Sequence, residues 1–530
     1  MLTGAVPWPP ERAARYRRDG YWTGETLASL LRGAAEDHGE RIAVATRTER
    51  ISYVELDRRA GRLAAGLRDL GVEAGERFVV QLPNRPELIV TCAALFRLGV
   101  IPVLALTAHR RAEIGYLCDQ AEATGLIVPA VQLGFDHREM AAQIAAGAPS
   151  LRHILVDGDP GRFTALSGID ADPAELPPVD PAEVALCLLS GGTTGRPKLI
   201  PRTHHDYLCQ IRGTAREMGL GPQGAYLAAL PVAHNAALGC PGVLGALWTG
   251  AKVVLAASPA PDEIFPLIDA EGVTLTTVMP SFLPLWSAMA DLFDVDLSGL
   301  IIEVGGARLD PDLAHRSEQA LGCTLTRWFG MAEGLLCFTR PGDPARTRLG
   351  TEGKPLYPAD EIRVADPHGR PVEPGAIGEL QTRGPYTING YYRAAGYNAG
   401  VFTRDGYFRT GDLVRLTAEG DLVVEGRIKD VINRGGEKVS AGEVEEYALK
   451  HPRIKAVAIT GVPDDGLGER SCAFVVPVGE ALSLAELRDF LVTEGLAGYK
   501  LPDQLELVEA LPYTAVGKVD KEALRAGVMA

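Results

Sequence analysis

The chain of 530 residues is 46% hydrophobic and 23% charged, the balance of a soluble globular protein with room for more than one domain. Its net charge of −15 excludes a sequence-independent nucleic-acid binder, which needs a basic face to neutralise phosphates. The eight cysteines include no CxxC pair, which excludes paired-thiol metal sites, makes a disulfide framework an unsuitable reading and predicts a cytoplasmic protein. At the start, MLTGAVPWPPERAARYRRDG holds no apolar run long enough for a signal peptide. TLASLLRGAAEDHG then predicts a helix with Leu27, Leu30, Leu31 and Ala34 on one face, closed by Gly39. RIAVAT reads as a strand, and SYVELDRRAGRLAAGLRDLGV as a helix burying Leu56, Ala60, Leu63, Leu67 and Leu70. RFVVQLPN is a further strand, followed by a helix from about Pro86 to Leu98. This alternation predicts an α/β fold of parallel sheets covered by helices, with ligands near the carboxyl ends of the strands.

Further along, DADPAELPPVDPAEV is a proline-rich surface connection, and EVALCLL is a strand. The most apolar stretch, AALGCPGVLGALWTGAKVV, is broken by glycines and a proline and meets Lys252, so it reads as buried α/β structure and not as a membrane span. From about Ala359 the texture changes to short strands with frequent glycine turns, predicting a β-rich subdomain. After Asp430 an α/β pattern resumes for about a hundred residues, enough for a small domain. A boundary near Lys429 divides the chain into 1–428 and 429–530.

The strongest local signal is SGGTTGRPK, Ser190 to Lys198, directly after the EVALCLL strand. Glycines let a backbone turn its N–H groups toward an anion, hydroxyls add donors and lysine adds charge. Gly195 is followed by Arg196 and Pro197, so this is not a Walker loop. Taken alone, such a loop is more often an ordinary surface turn.

Read in order, SGGTTGRPK, GGA, FGMAEG, RTGDL, GRIKD, GGEKV and PYTAVGKV resemble the adenylate-forming superfamily, which contains acyl- and aryl-CoA synthetases, nonribosomal adenylation domains and luciferases. The resemblance covers nearly the whole chain and implies a large N-terminal adenylation core and a small mobile α+β C-terminal domain. It implies that the loop of Ser190, Gly191, Gly192, Thr193, Thr194, Gly195 and Lys198 acts on the β- and γ-phosphates of ATP. Gly305, Gly306 and Ala307 match the segment packed beside adenine. Glu333 matches the acid associated with Mg²⁺, a cation content with one carboxylate plus phosphate oxygens and water. Ala332 stands where the family usually has Thr, which removes one hydroxyl donor. Asp412 matches the carboxylate that accepts from both ribose hydroxyls, with Arg427 assisting at ribose or phosphate. Lys518 matches the catalytic cation that stabilises charge building on the α-phosphate. Lys429 falls at the hinge, and Gly435, Gly436 and Lys438 resemble the turn lining the pantetheine tunnel.

Within the superfamily, AHNAALGCPG, GERSC, RGPYTINGYY and AGYKLPD resemble the stand-alone aryl-acid AMP ligases that activate 2,3-dihydroxybenzoate or salicylate. The resemblance puts His234 at the carboxylate end of the acyl pocket and Asn235 on the ring substituent ortho to the carboxylate. The Asn235 amide can donate or accept, so hydroxyl and amino arenes both remain open at this point. Cys240 stands where dihydroxybenzoate enzymes carry Ser, and a second ring hydroxyl left unpaired there costs on the order of 1–3 kcal/mol. Ala236 replaces a large aromatic and opens space for a fused ring, whose burial is worth about 1 kcal/mol, while Leu336 takes some of that space back.

The reading implied is ATP-dependent activation of an ortho-hydroxy aryl acid, salicylate-like or bicyclic, with release of pyrophosphate. Transfer to the phosphopantetheine thiol of an aryl carrier protein follows, in nonribosomal peptide or siderophore-type biosynthesis. No membrane or nucleic-acid partner is expected, and no carrier domain within this chain. Free CoA is the alternative acceptor. A non-catalytic ligand-binding protein on the same fold is the alternative of another class, and it predicts loss of Lys518, Asp412 or Glu333, all of which are present.

Overall fold

The computed structural model describes residues 2–529 apart from 174, 191–196, 308, 435–436, 465–466, 495, 497 and 515–516, and only the backbone of 429, 433, 437, 438, 468 and 529. Gly191, Gly192, Thr193, Thr194, Gly195, Gly435 and Gly436 therefore lie outside the described residues. Local sequence explains the early elements. Thr26 takes the amide of Ser29 to start the helix Leu27–His38, and Gly39 at φ 48° ends it. Ser52 caps the next helix, Tyr53–Asp69, whose Leu56, Ala60, Leu63 and Leu67 are buried. Leu70 corrects the expectation: the helix stops at Asp69, Leu70 becomes its C-cap and is 44% exposed. Val72, whose amide donates to the carbonyl of Leu67, turns inward instead.

Two large sheets form the body. In one, strands lie in the order Lys354–Pro355, Gly334–Phe338, Thr324–Met331, Ile301–Gly305, Leu275–Val278, Ala225–Ala228, Lys252–Leu255, Ile42–Ala45 and Arg50–Ser52. Its centre is parallel and both ends are closed by antiparallel pairs. The other runs Leu199–Thr203, Val184–Leu189, Ile101–Leu104, Arg77–Val80, Gly125–Pro129, His153–Asp157 and Thr164–Ala165, parallel except where Val184–Leu189 meets Leu199–Thr203. The apolar stretch after Ala236 folds into buried helices, Asn235–Gly239 and Gly242–Trp248, and the strand Lys252–Leu255. Among the described residues no helix is long and apolar enough to cross a membrane. All eight cysteines are buried free thiols.

An antiparallel sheet follows, built from Glu361–Ala365, Gly378–Arg383, Phe408–Leu416 and Leu422–Arg427. The short turn Ile428–Asp430, which contains Lys429, leads into a last sheet. There Val431–Arg434, Glu437–Ser440, Ile454–Asp464, Gly468–Pro477 and Gln504–Leu507 are covered by helices Ala441–Leu449, Leu484–Thr493 and Lys521–Met529. Val439, Val444, Ile459, Val475 and Leu487 give this unit its own core. The architecture is the mixed α/β fold with a strand-rich subdomain and a smaller α+β C-terminal unit that the sequence predicts.

The middle of the first sheet contains a carboxyl group that composition does not anticipate. Glu303 on the strand Ile301–Gly305 is fully buried, accepts the Thr277 hydroxyl at 2.8 Å, and has its Oε1 without a hydrogen-bond partner among the described residues. Burial pushes it up to about 8 from the ordinary 4.5, against the Thr277 hydrogen bond. Glu303 is thus protonated in the fold at neutral pH and ionised in the unfolded chain. Its stabilising contribution is complete below about pH 4.5 and is lost as pH rises through about 8. The melting temperature of Glu303→Gln should therefore gain on the wild type as pH is raised from about 5 to about 8. Parallel pH curves for the two proteins would show that Glu303 is charged in the fold.

Candidate active site

The loop from Ser190 to Lys198 joins two antiparallel strands, so its neck is closed by backbone: the Ser190 amide donates to the Lys198 carbonyl at 2.9 Å. The Lys198 amide returns to the Ser190 hydroxyl at 3.0 Å, and the Lys198 ammonium lies 3.9 Å above the Tyr397 ring. Gly305 and Gly306 follow at the carboxyl end of the strand Ile301–Gly305, where an α/β sheet presents its ligands. A Cβ on Gly305 would overlap the carbonyl and ring of Trp328, and Gly306 sits at φ 78° against Met279. Ala307 beside them is exposed. Trp328 holds the first position to glycine and the left-handed backbone favours glycine at the second, so the chain lies close against Trp328 and Met279 here.

Glu333 sits in the turn between the strands Thr324–Met331 and Gly334–Phe338. Its carbonyl takes the Ile388 amide at 2.8 Å, and its carboxylate takes the Tyr391 hydroxyl at 2.7 Å. Burial pushes Glu333 above the ordinary carboxylate value, opposed by the Tyr391 hydrogen bond. Asp412 and Arg427 are register partners on neighbouring strands, and Arg427 Nε donates to Asp412 Oδ1 at 2.8 Å. Burial also raises Asp412, and the charges of Arg427 and Lys518 oppose that rise.

Lys518 reaches this group from the C-terminal unit. Its turn is closed by the Thr514 amide on the Lys518 carbonyl at 2.7 Å and by the Lys518 amide on the Thr514 hydroxyl at 3.2 Å. The turn docks on the body: Ser281 Oγ donates to the Gly517 carbonyl at 3.3 Å, and Gly517, at φ 79°, packs against Met279 and Ser281. Met279 also lies under Gly306, so the lysine turn and the glycine pair share one neighbour. The Lys518 charge acts on His234 as well. Burial and, after it, Lys518 push His234 down to about 4, so the ring is neutral at pH 7. Its Nδ1 accepts the Ala236 amide at 3.3 Å, which puts the ring proton on Nε2.

The segment after His234 is almost wholly buried. Asn235 Oδ1 accepts from Tyr207 Oη at 2.9 Å and Gln210 Nε2 at 3.1 Å, and Asn235 Nδ2 donates to Cys240 Sγ at 3.4 Å. Ala236, Cys240 and Leu336 are buried in the main apolar core of the body. The structure thus gathers Glu333, Asp412, Arg427 and Lys518 into one charged site that includes the neutral ring of His234, with Asn235, Ala236 and Cys240 in the buried segment that follows His234 and Leu336 in the same apolar core. The side chains of Lys429 and Lys438 lie outside what is described.

Sequence reasoning passes over four residues here. Arg202, Tyr207 and Gln210 are fully buried beside Asn235, and Tyr391 holds Glu333. Arg202 Nη1 donates to the carbonyl of Ala332, the position that lacks the usual threonine, at 2.9 Å. The available signal is polarity on a buried face: Gln210 lies three residues after Tyr207 in the helix His204–Glu217, almost every residue of which is buried.

A model of the AMP-binding enzymes matches residues 31–392, and that of the AMP-binding enzyme C-terminal domain matches residues 443–518. The chain is 50% identical over 529 residues to a 2,3-dihydroxybenzoate-AMP ligase of Bacillus subtilis, covering 100% of this chain and 98% of the relative. It is 47% identical over 532 residues to a salicyl-AMP ligase / salicyl-S-ArCP synthetase of Mycobacterium tuberculosis, covering 99% and 94%. The apo structure of Mycobacterium smegmatis MbtA superposes with a TM-score of 0.77 at 45% identity, covering 99% of this chain and 98% of that one. The chain belongs to the AMP-binding enzymes of the adenylate-forming superfamily, in the subgroup of the aryl-acid AMP ligases.

Proposed function

We propose that this enzyme activates an ortho-hydroxy aryl acid with ATP and passes the acyl group to the pantetheine thiol of an aryl carrier protein. The observation that carries the reading is the docking of Lys518, from the C-terminal unit, onto a site where Asp412 and His234 already feel its charge. In the first step an oxygen of the aryl carboxylate attacks the α-phosphorus, the α–β bridging bond breaks and pyrophosphate leaves. Two anions meet, so a cation at that point stabilises the transition state more than the ground state. Lys518 supplies it. His234, neutral with its proton on Nε2, offers a donor at the carboxylate end without adding charge.

The remaining roles follow from position. Asp412, with Arg427 beside it, accepts from the ribose hydroxyls, Gly305, Gly306 and Ala307 border adenine, and the loop of Ser190 to Lys198 holds the phosphates. Glu333 fits Mg²⁺: it is a buried carboxylate, fixed by Tyr391, whose charge burial penalises until a cation is supplied. Bound there, Mg²⁺ would neutralise phosphate charge. Asn235 meets the ortho substituent, and Ala236, Cys240 and Leu336 bound the ring. In the second step the thiol loses its proton and attacks the adenylate carbonyl, and AMP leaves. Residues 429–530 rotate about Lys429 to bring Gly435, Gly436 and Lys438 to the pantetheine arm. The names of the similar ligases support both the aryl substrate and the carrier acceptor.

Substrate-dependent ATP–pyrophosphate exchange across salicylate, 2,3-dihydroxybenzoate and hydroxylated bicyclic acids tests the first step. Salicylate should exceed dihydroxybenzoate, because Cys240 leaves the second hydroxyl unpaired, by on the order of ten-fold. Exchange with none of them would overturn the reading. Mass measurement of the thioester, with carrier protein and CoA offered separately, should find the acyl group on the carrier. Transfer to CoA alone would reverse that assignment. Ala236→Tyr should lower exchange with bicyclic acids by about ten-fold more than with salicylate, and equal losses would show that the space beside Ala236 is not used.

A further inference from the structure

The amide of Asn235 has two orientations, and they offer a ligand opposite chemistry: N–H donors or a carbonyl acceptor. Its neighbours allow one. A guanidinium carries donors only, and Arg202 Nη1 reaches Gln210 Oε1 at 3.1 Å, so the oxygen of Gln210 faces Arg202. The Gln210 amide nitrogen then faces the other way, where it donates to the carbonyl of Gly239 at 2.9 Å, a group that can only accept. That same nitrogen lies 3.1 Å from Asn235 and 3.3 Å from Cys240 Sγ, and because an N–H facing it at 3.1 Å would set donor against donor, the Asn235 atom it meets is Oδ1. The Tyr207 hydroxyl donates to this oxygen too, at 2.9 Å. Asn235 Nδ2 is left beside Cys240, 3.4 Å from Sγ, with a second hydrogen to give.

Arg202 cannot turn to relax the sequence of bonds. It is fully buried, its Nε is held by Asp206 Oδ1 at 2.7 Å, and its Nη1 and Nη2 donate to the carbonyls of Ala332 and Tyr386 at 2.9 and 3.0 Å. Asp206 is itself committed, since its other oxygen accepts the amide and hydroxyl of Thr203 at the start of the helix His204–Glu217. Each link has a single direction. We infer that Arg202 and Gln210 are positioning residues that fix the polarity of the acyl pocket, so that Asn235 presents an N–H and the enzyme selects aryl acids with a hydrogen-bond acceptor ortho to the carboxylate.

This rests on the reading above, in which Asn235 faces the ortho substituent, and it narrows that reading. In a 2-hydroxy acid the hydroxyl proton bonds the neighbouring carboxylate and leaves an oxygen lone pair outward, ready for Asn235. A ring nitrogen beside the carboxyl group offers a lone pair in the same way. An ortho amino group does not: its lone pair is drawn into the ring, and its outward N–H meets the N–H of Asn235. Two buried donors then face each other, each without an acceptor.

ATP–pyrophosphate exchange with salicylate, anthranilate and benzoate tests this, benzoate having no ortho substituent. The wild type should prefer salicylate to anthranilate in kcat/KM by about ten-fold or more. Gln210→Glu replaces the donor toward Asn235 by an acceptor, so the Asn235 amide should turn over and the salicylate-to-anthranilate ratio should fall by about ten-fold. Asn235→Asp makes the same change at the pocket without touching Gln210, and should shift the ratio in the same direction even if Gln210→Glu does not fold. A general loss of structure would lower all three acids together and leave the ratios to benzoate unchanged. Equal use of salicylate and anthranilate by the wild type, or parallel losses in whichever variants fold, overturns the inference while leaving aryl activation standing. Exchange with no aryl acid at all overturns the reading beneath it, and the inference with it.

Discussion

Two carboxylates from different parts of the larger body, Glu333 and Asp412, are buried, burial raises the cost of ionising both, the charge of Asp412 adds to that cost at Glu333, and cations have to answer them. Arg427 does so from the adjacent strand, and Lys518 does so from a separate unit at the other end of the chain. At such low solvent exposure a charge is felt more strongly than it would be in water, so this group is stable only in certain combinations. The arrangement favours anything that brings positive charge to Glu333 and Asp412 or hydrogen-bond donors to Asp412. A nucleotide's ribose, a divalent cation and the ammonium of Lys518 answer those needs. The dependence explains why the lysine turn is tight and glycine-bearing: Gly517, at φ 79°, lets the backbone lie against Met279, directly beneath Gly306.

A second constraint joins the Glu333 side of the site to the Asn235 side. Arg202 is wholly buried, and its hydrogen bonds go both to the Ala332 carbonyl, beside Glu333, and to Gln210, beside Asn235. One guanidinium therefore fixes the turn that carries Glu333 and, through Gln210, the amide of Asn235. A buried cation of this kind is costly unless each of its donors is matched, and Asp206, Ala332, Tyr386 and Gln210 match them. The main-chain carbonyl of Ala332 is what Arg202 uses, so the absence of a threonine hydroxyl at that position leaves this link intact.

The sequence carries the fold well where periodicity and caps agree. The helices Leu27–His38 and Pro86–Leu98 are legible because apolar spacing, a capping residue or proline at the start and a closing glycine coincide. Leu70 is misread because a repeat does not state where a helix stops, and the last turn passes outward one residue early. In the site, Glu333, Asp412, Arg427 and Lys518 are legible because each sits in a short motif and the motifs keep their order. The links through Arg202 are not legible, since its partners at Ala332 and Tyr386 are 130 and 184 residues away. Glu303 is visible as a charge inside the apolar run LIIEVGGA, but its protonation depends on burial between neighbouring strands, which spacing does not reveal. The polarity of Asn235 is a property of four side chains together, and no one of them carries it in the sequence.

In the proposed mechanism the smaller unit delivers a cation, Lys518, to the reacting phosphate. Single-turnover formation of aryl-AMP by Lys518→Ala, followed by rapid quench, measures it most directly. The rate should fall by at least about a hundred-fold, with unchanged affinity for the aryl acid and with thioester transfer from supplied aryl-AMP retained. Aryl-AMP formed at the wild-type rate without the ammonium would contradict it.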